Sequence, residues 1–247
     1  MRRLIRDGAL AGLAGGAALA LVLLLLGEES IGRAIALESG GGDEMFSRRV
    51  QTAGGMVAAL VWGAALGVVF AVVFSLARRR LAATSDWRAA AGLAALGFLT
   101  VNLVPFLKYP PNPPGVGDAD SIGRRTALYV LMLAWSALAA LAAWSAARRL
   151  GSTAEREALP EHLRAPAVVA LYVAVVAVGL VALPGSPDAV AVPADLVWRF
   201  RLASLGGNAA FWAVCGVAFG WLRLAAAGRP PLSSLRSPTR VSRAGER

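Results

Sequence analysis

Apolar residues along this chain do not recur at every second position, nor in three- and four-residue steps. They come in six unbroken blocks. The first three are GALAGLAGGAALALVLLLLG (8–27), GGMVAALVWGAALGVVFAVVFSLA (54–77) and AAAGLAALGFLTVNLVPFL (89–107). The others are TALYVLMLAWSALAALAAWSAA (126–147), PAVVALYVAVVAVGLVALP (166–184) and LASLGGNAAFWAVCGVAFGWL (202–222). None contains Lys, Arg, Asp or Glu. Each is about the 20 residues that a helix needs to cross a bilayer. Backbone polar groups in lipid must be satisfied within the protein, so such blocks become helices. A barrel strand would alternate, and these runs do not. The pattern predicts an all-α, polytopic membrane protein with a bundle of six transmembrane helices. The first block follows a basic start, MRRLIR, but is too long for a signal-peptide core and lacks a small-x-small cleavage site. It reads as an uncleaved helix.

The polar positions between blocks set the orientation. Of the 25 Lys and Arg, 17 fall on the side that carries both chain ends. The other eight are Arg33, Arg48, Arg49, Lys108, Arg124, Arg125, Arg199 and Arg201. The positive-inside bias places both termini in the cytoplasm. Residues 1–224 form the transmembrane domain, and 225–247 a disordered basic cytoplasmic tail.

Six of the eight outer cations sit where helices two, four and six enter the membrane, in SRRVQ, GRRTALY and WRFRLAS. They fit a ring that meets lipid phosphates or the outer acids, and equally a charged vestibule at the mouth of a pathway. In the first outer loop, Ser30 is placed to cap a short helix with Ile31, Ala34 and Ile35 on one face, lying on the outer membrane surface. SGGGDE then releases the chain. The second outer loop, KYPPNPPGVGDADSIG, is stiffened by proline and expected in the polyproline II conformation. It suits a rigid cap on the outer face, or a loop that gates or docks a partner.

Composition narrows the chemistry. The chain is 57% hydrophobic and 16% charged, against about 25% charged in soluble domains. The net charge of +10 belongs to the membrane flanks, so no nucleic-acid partner is expected; the bilayer is the partner. The one histidine, His162, is cytoplasmic, and the one cysteine, Cys215, lies inside the last helix. No nucleophile–base pair and no Walker-type phosphate loop is visible, so an enzyme is not expected, nor a bound cofactor. Asp118, Asp120 and Asn112 offer hard oxygen ligands and are weak metal candidates. Asn102 and Asn208 are the polar residues placed best for a pathway inside the membrane, with interhelical hydrogen bonding as their alternative role.

Three stretches together resemble one family. LVPFLKYPPNPPGVGDADSIGRRTALY (103–129), GEESIGRAIALE (27–38) and DLVWRFRLASLGGNAAFWAVCGVAFG (195–220) are similar to the CbtA family, described as probable cobalt transporter subunits. The resemblance implies an inner (plasma) membrane protein acting in cobalt uptake, with Co2+ as substrate and a small histidine-bearing subunit of CbtB type as partner. It directs attention to Lys108 to Pro114, which includes Tyr109 and Asn112, and to Asp118, Gly123, Arg124, Arg125, Arg199, Arg201 and Ser204. The expected function is cobalt transport, and the alternative is a non-transporting accessory subunit that docks a partner through its outer loops.

Overall fold

The structure is a computed structural model that describes residues 1–38, 46–78, 85–150, 159–187 and 192–228. Among these residues six helices are long and apolar enough to cross a membrane. The chain is a multi-pass, all-helical membrane protein. Every apolar block lies in one of the six except the last two residues of the fifth, Leu183 and Pro184, and polar turns lengthen most of them. The second span, α3 (Arg48–Ala77), begins at the arginines of SRRVQ. The fourth, α6 (Ile122–Leu150), includes Arg124 and Arg125 at one end and Arg148 and Arg149 at the other. The fifth, α7 (Glu161–Ala182), holds Pro166 inside its second turn, where it cannot donate to the carbonyl four residues back. The sixth is α8 (Ala194–Ala226). SGGGDE and most of the basic tail lie outside the described residues.

The first span corrects the expectation for the first loop. Helix α1 (Arg2–Val22) passes through a π-turn, Leu23–Gly27, and continues as α2 (Glu28–Glu38). Ser30 therefore caps nothing. It is 2% exposed inside a continuous helix, and Ala34 is equally buried. Ala34 packs with Val116 of the proline loop and with Leu196 and Val197 of α8. The apolar face of α2 is covered by protein rather than laid on lipid.

The third span is composite. Helix α4 (Asp86–Gly97) opens on Ser85, whose side chain accepts from the Arg88 N–H, and runs into a π-turn, Phe98–Leu103. It ends as α5 (Val104–Lys108). Its two halves serve different cores. The first packs with α1, α3 and α8 around Phe70, Phe74, Phe211, Trp212 and Phe219. These rings meet edge to face, with centroids 5.0–6.3 Å apart. The second half packs with α6 and α7 around Val104, Tyr109, Met132, Ala139 and Val176. The bundle is thus two groups of helices sharing the third span, and the π-turn lies at the joint.

Lipid tails are as apolar as leucine, so helices associate in a bilayer by close packing. The contact of α1 with α3 is the most extensive in the protein. Gly8, Gly12 and Gly16 of α1 face Gly63 and Gly67 of α3, and a Cβ at any of the five would overlap the other helix's backbone. The small-residue runs GLAGG (12–16) and GAALG (63–67) are therefore partners. In GGNAA (206–210), Gly207 lies under Leu19, while Gly206 has open space beside it.

Gly12→Val or Gly63→Val is expected to push these backbones apart and lower stability by about 2–3 kcal/mol. Gly206→Ala should raise it slightly, because alanine is the better helix former and meets no neighbour. Thermal unfolding in detergent measures both. An unchanged Gly12→Val midpoint would show that α1 and α3 are not in this contact.

Candidate functional site

Proline has no N–H, so Pro105 cannot donate to the turn before it. The Val104 N–H is directed five residues back, to the Leu99 carbonyl. The Thr100 carbonyl loses its α-helical donor, Val104, and the next residue along is the proline. The Val101 carbonyl, four residues before Pro105, accepts instead from the Tyr129 hydroxyl of α6 at 3.3 Å. Asn102 accepts from the Trp212 indole of α8 at 2.6 Å. The π-turn is thus held from both helix groups. Asn102 makes the interhelical hydrogen bond expected of a polar residue in an apolar span. Asn208 donates to the Ser204 carbonyl of its own helix at 2.8 Å.

The end of α5 is stapled to the end of α7. Lys108 Nζ donates to the Leu180 carbonyl at 2.7 Å, and the Tyr109 hydroxyl to the Pro184 carbonyl at 2.6 Å. Carbonyls at a helix C-terminus lack internal donors, and a cation there also meets the negative end of the helix dipole. Burial raises the Tyr109 phenol above its ordinary pKa, so it remains a neutral donor.

The proline loop folds over this end of the bundle. Pro114 and Gly115 are the central residues of a turn closed by the Val116 N–H on the Pro113 carbonyl, 3.1 Å. Gly115 has φ 78°, the left-handed value that a type II turn requires at that position. Pro113 is fully buried. Arg201 of α8 donates to the Pro111 carbonyl at 3.3 Å and to Asn112 Oδ1 at 2.8 Å. Arg125 donates to the carbonyls of Val116 and Asp118. Tyr109, Asn112, Arg125, Thr126, Tyr129 and Ser186 help to line a cleft of about 320 Å³ beneath the loop.

Of the residues singled out in the sequence, Tyr109, Asn112 and Arg125 line this cleft and Arg201 braces it. Asp118 and Asp120 are exposed and stand outside the cleft lining. Asp118 Oδ1 accepts from the Asp120 N–H at 2.9 Å, which fixes the start of α6. Arg48 pairs with Glu28 at 2.9 Å, and Arg199 approaches Glu29 at 3.8 Å. Arg49 and Arg124 are exposed. Among the described residues, no three His, Cys, Asp or Glu converge as metal ligands would. His162 is exposed at the start of α7.

The opposite face carries a charge cluster that the apolar blocks did not show. Asp7 lies one residue before the first block, and its carboxylate is only 3% exposed. It takes Arg6 at 3.1 Å on one oxygen and approaches Arg223 at 3.9 Å with the other. Arg223 reaches Asp86 at 3.7 Å, and Asp86 pairs with Arg78 at 2.6 Å. The network ties the starts of α1 and α4 to the ends of α3 and α8. Asp86 in the first turn of α4 and Arg223 in the last turn of α8 also match their helix dipoles. Asp7→Ala would leave Arg223 half-served in a largely buried place. The expected loss is about 3 kcal/mol, read as a lower unfolding midpoint in detergent. Glu161→Ala, at the exposed start of α7, should leave that midpoint unmoved.

No curated protein and no solved structure matches this chain. One family model does match, that of CbtA, a probable cobalt transporter subunit, and it covers residues 1–223. With nearly the whole chain inside that match, this six-span protein belongs to the CbtA family of probable cobalt transporter subunits.

Proposed function

We propose that the chain is the translocating subunit of a cobalt uptake system in the inner (plasma) membrane, with both termini in the cytoplasm. It has a transport role and not a catalytic one. The observation that carries the proposal is the interrupted third span. Polar backbone at membrane depth is tolerated where protein buries it or where it lines a passage. Here the interruption lies at the joint of two helix groups, below a cleft on the proline-loop face. The loop face has the fewer cations, which makes it the outer face. Co2+ would arrive there past Asp118 and Asp120, whose exposed carboxylates raise the local cation concentration. Arg125 and Arg201 face the loop's own oxygens, and that spends their donors on the protein.

A second reading has its own observation. An apolar groove of about 300 Å³ runs between α4 and α8, lined by Ala91, Ala94, Ala95, Ala213 and Gly216. Small residues let another helix approach closely in lipid. The groove suits a partner subunit of CbtB type that supplies histidines, of which this chain has only His162, with the present chain as its accessory scaffold.

Cells without other cobalt importers should accumulate 57Co2+ when this chain is expressed alone, at a rate that Ni2+ competes down. Absence of accumulation, with the protein confirmed in the membrane, would shift the assignment to the accessory scaffold. The Ala91→Leu variant, on an exposed wall of the groove, should then lose a co-purifying partner.

A further inference from the structure

The interior of the second helix group holds a polar cluster. Thr100 of the π-turn, Ser136 of α6 and Tyr172 of α7 bring their hydroxyls together, with Tyr172 in reach of both others. All three oxygens are shielded from solvent, and none has a hydrogen-bond partner of good geometry. Thr100 is 9% exposed and Ser136 0%. The Thr100 carbonyl, deprived of its donors by Val104 and Pro105, adds a further oxygen at the same residue. Buried polar groups are satisfied in nearly every native structure, so a cluster left open at membrane depth calls for a ligand or water.

The cluster is connected to the cleft along one face of α6. Thr126 and Tyr129 line the cleft, Met132 is fully buried, and Ser136 follows one turn later. Tyr129 and Ser136 are about 10 Å apart along the axis, at 1.5 Å per residue. Met132 and Ala139 flank Ser136 on the same face, each 0% exposed. The order from the outer face is polar cleft, thioether plug, hydroxyl cluster.

Resting on the transport reading, we propose that Thr100, Ser136 and Tyr172 form the intramembrane contact at which the divalent cation exchanges part of its hydration shell for protein oxygens. The set is neutral. Neutral hydroxyl and carbonyl oxygens can replace hydration water without holding the ion, and conduction needs a site that releases. A carboxylate at the same depth would bind more tightly and let go more slowly. Interrupted helices that offer backbone oxygen near the midplane serve ions in this way.

The test uses the full chain in membranes, with Cys215 replaced by Ala so that an introduced thiol is unique. S136C should react with a positively charged, water-soluble methanethiosulfonate reagent, and excess Co2+ should slow the reaction. L138C lies at nearly the same depth on the exposed face of α6 and should not react. Thr100→Val, Ser136→Ala and Tyr172→Phe should each lower 57Co2+ uptake, roughly tenfold for the strongest. An unreactive S136C thiol overturns the proposal, whatever the wild type transports, because water then never reaches the cluster. Reaction without protection by Co2+ also overturns it and leaves a structural water site. Full uptake by all three variants beside an active wild type removes the cluster from the path and leaves the transport reading intact. A wild type that imports no cobalt sinks the transport reading, while a reactive S136C thiol protected by Co2+ still supports the cation contact.

Discussion

Inside a bilayer a backbone carbonyl without a donor has no water to turn to, and Pro105 creates that situation in the middle of the third span. The rest of the arrangement around this span answers it. The Tyr129 hydroxyl reaches across from α6 to the Val101 carbonyl, and Asn102 turns to the Trp212 indole on α8. The third span also joins the two cores, α4 packing in one and α5 in the other, with the π-turn between them.

The two groups are built by different means. The first relies on glycine, which brings the α1 and α3 backbones into contact, and on a nest of edge-to-face rings. The second relies on single polar bonds to carbonyls: Trp135 to Val175 at 2.7 Å, over the space left by Gly179, then Lys108 to Leu180 and Tyr109 to Pro184. Charge is confined to the two faces. On one, Asp7, Arg223, Asp86 and Arg78 join four helix ends. On the other, Arg201 and Arg125 hold the proline loop by its carbonyls.

The six spans were legible because uninterrupted apolarity depends on no partner. Their ends were less so. Polar turns such as RRVQ and IGRR extend a helix beyond the lipid at no cost that hydropathy registers. Ser30 misled because a cap residue and a serine buried between helices look alike without the neighbour that covers it. Asp7 escaped notice because a carboxylate beside MRRLIR reads as a flank, and Arg223 lies more than 200 positions away. Asn102 was visible as a polar residue in an apolar run, but its partner Trp212 was not. Pro105 was a signal left unused: a proline inside a block frees a carbonyl four residues earlier, and Tyr129 waits there. Glycines are plain in the sequence, while the pairing of Gly12 with Gly63 is a matter of registry between two helices.

The packing of α8 against α1 bears on how the protein is made. Spans one and two are neighbours in sequence, and their glycines can meet as soon as the second leaves the translocon. The remaining face of α1, around Gly15, is closed by Phe211 of the last span. That face stays open to lipid or to chaperones until synthesis is nearly finished. The first helix to enter the membrane is completed by the last, so a chain that stops before α8 would present its earliest surface to quality-control proteases.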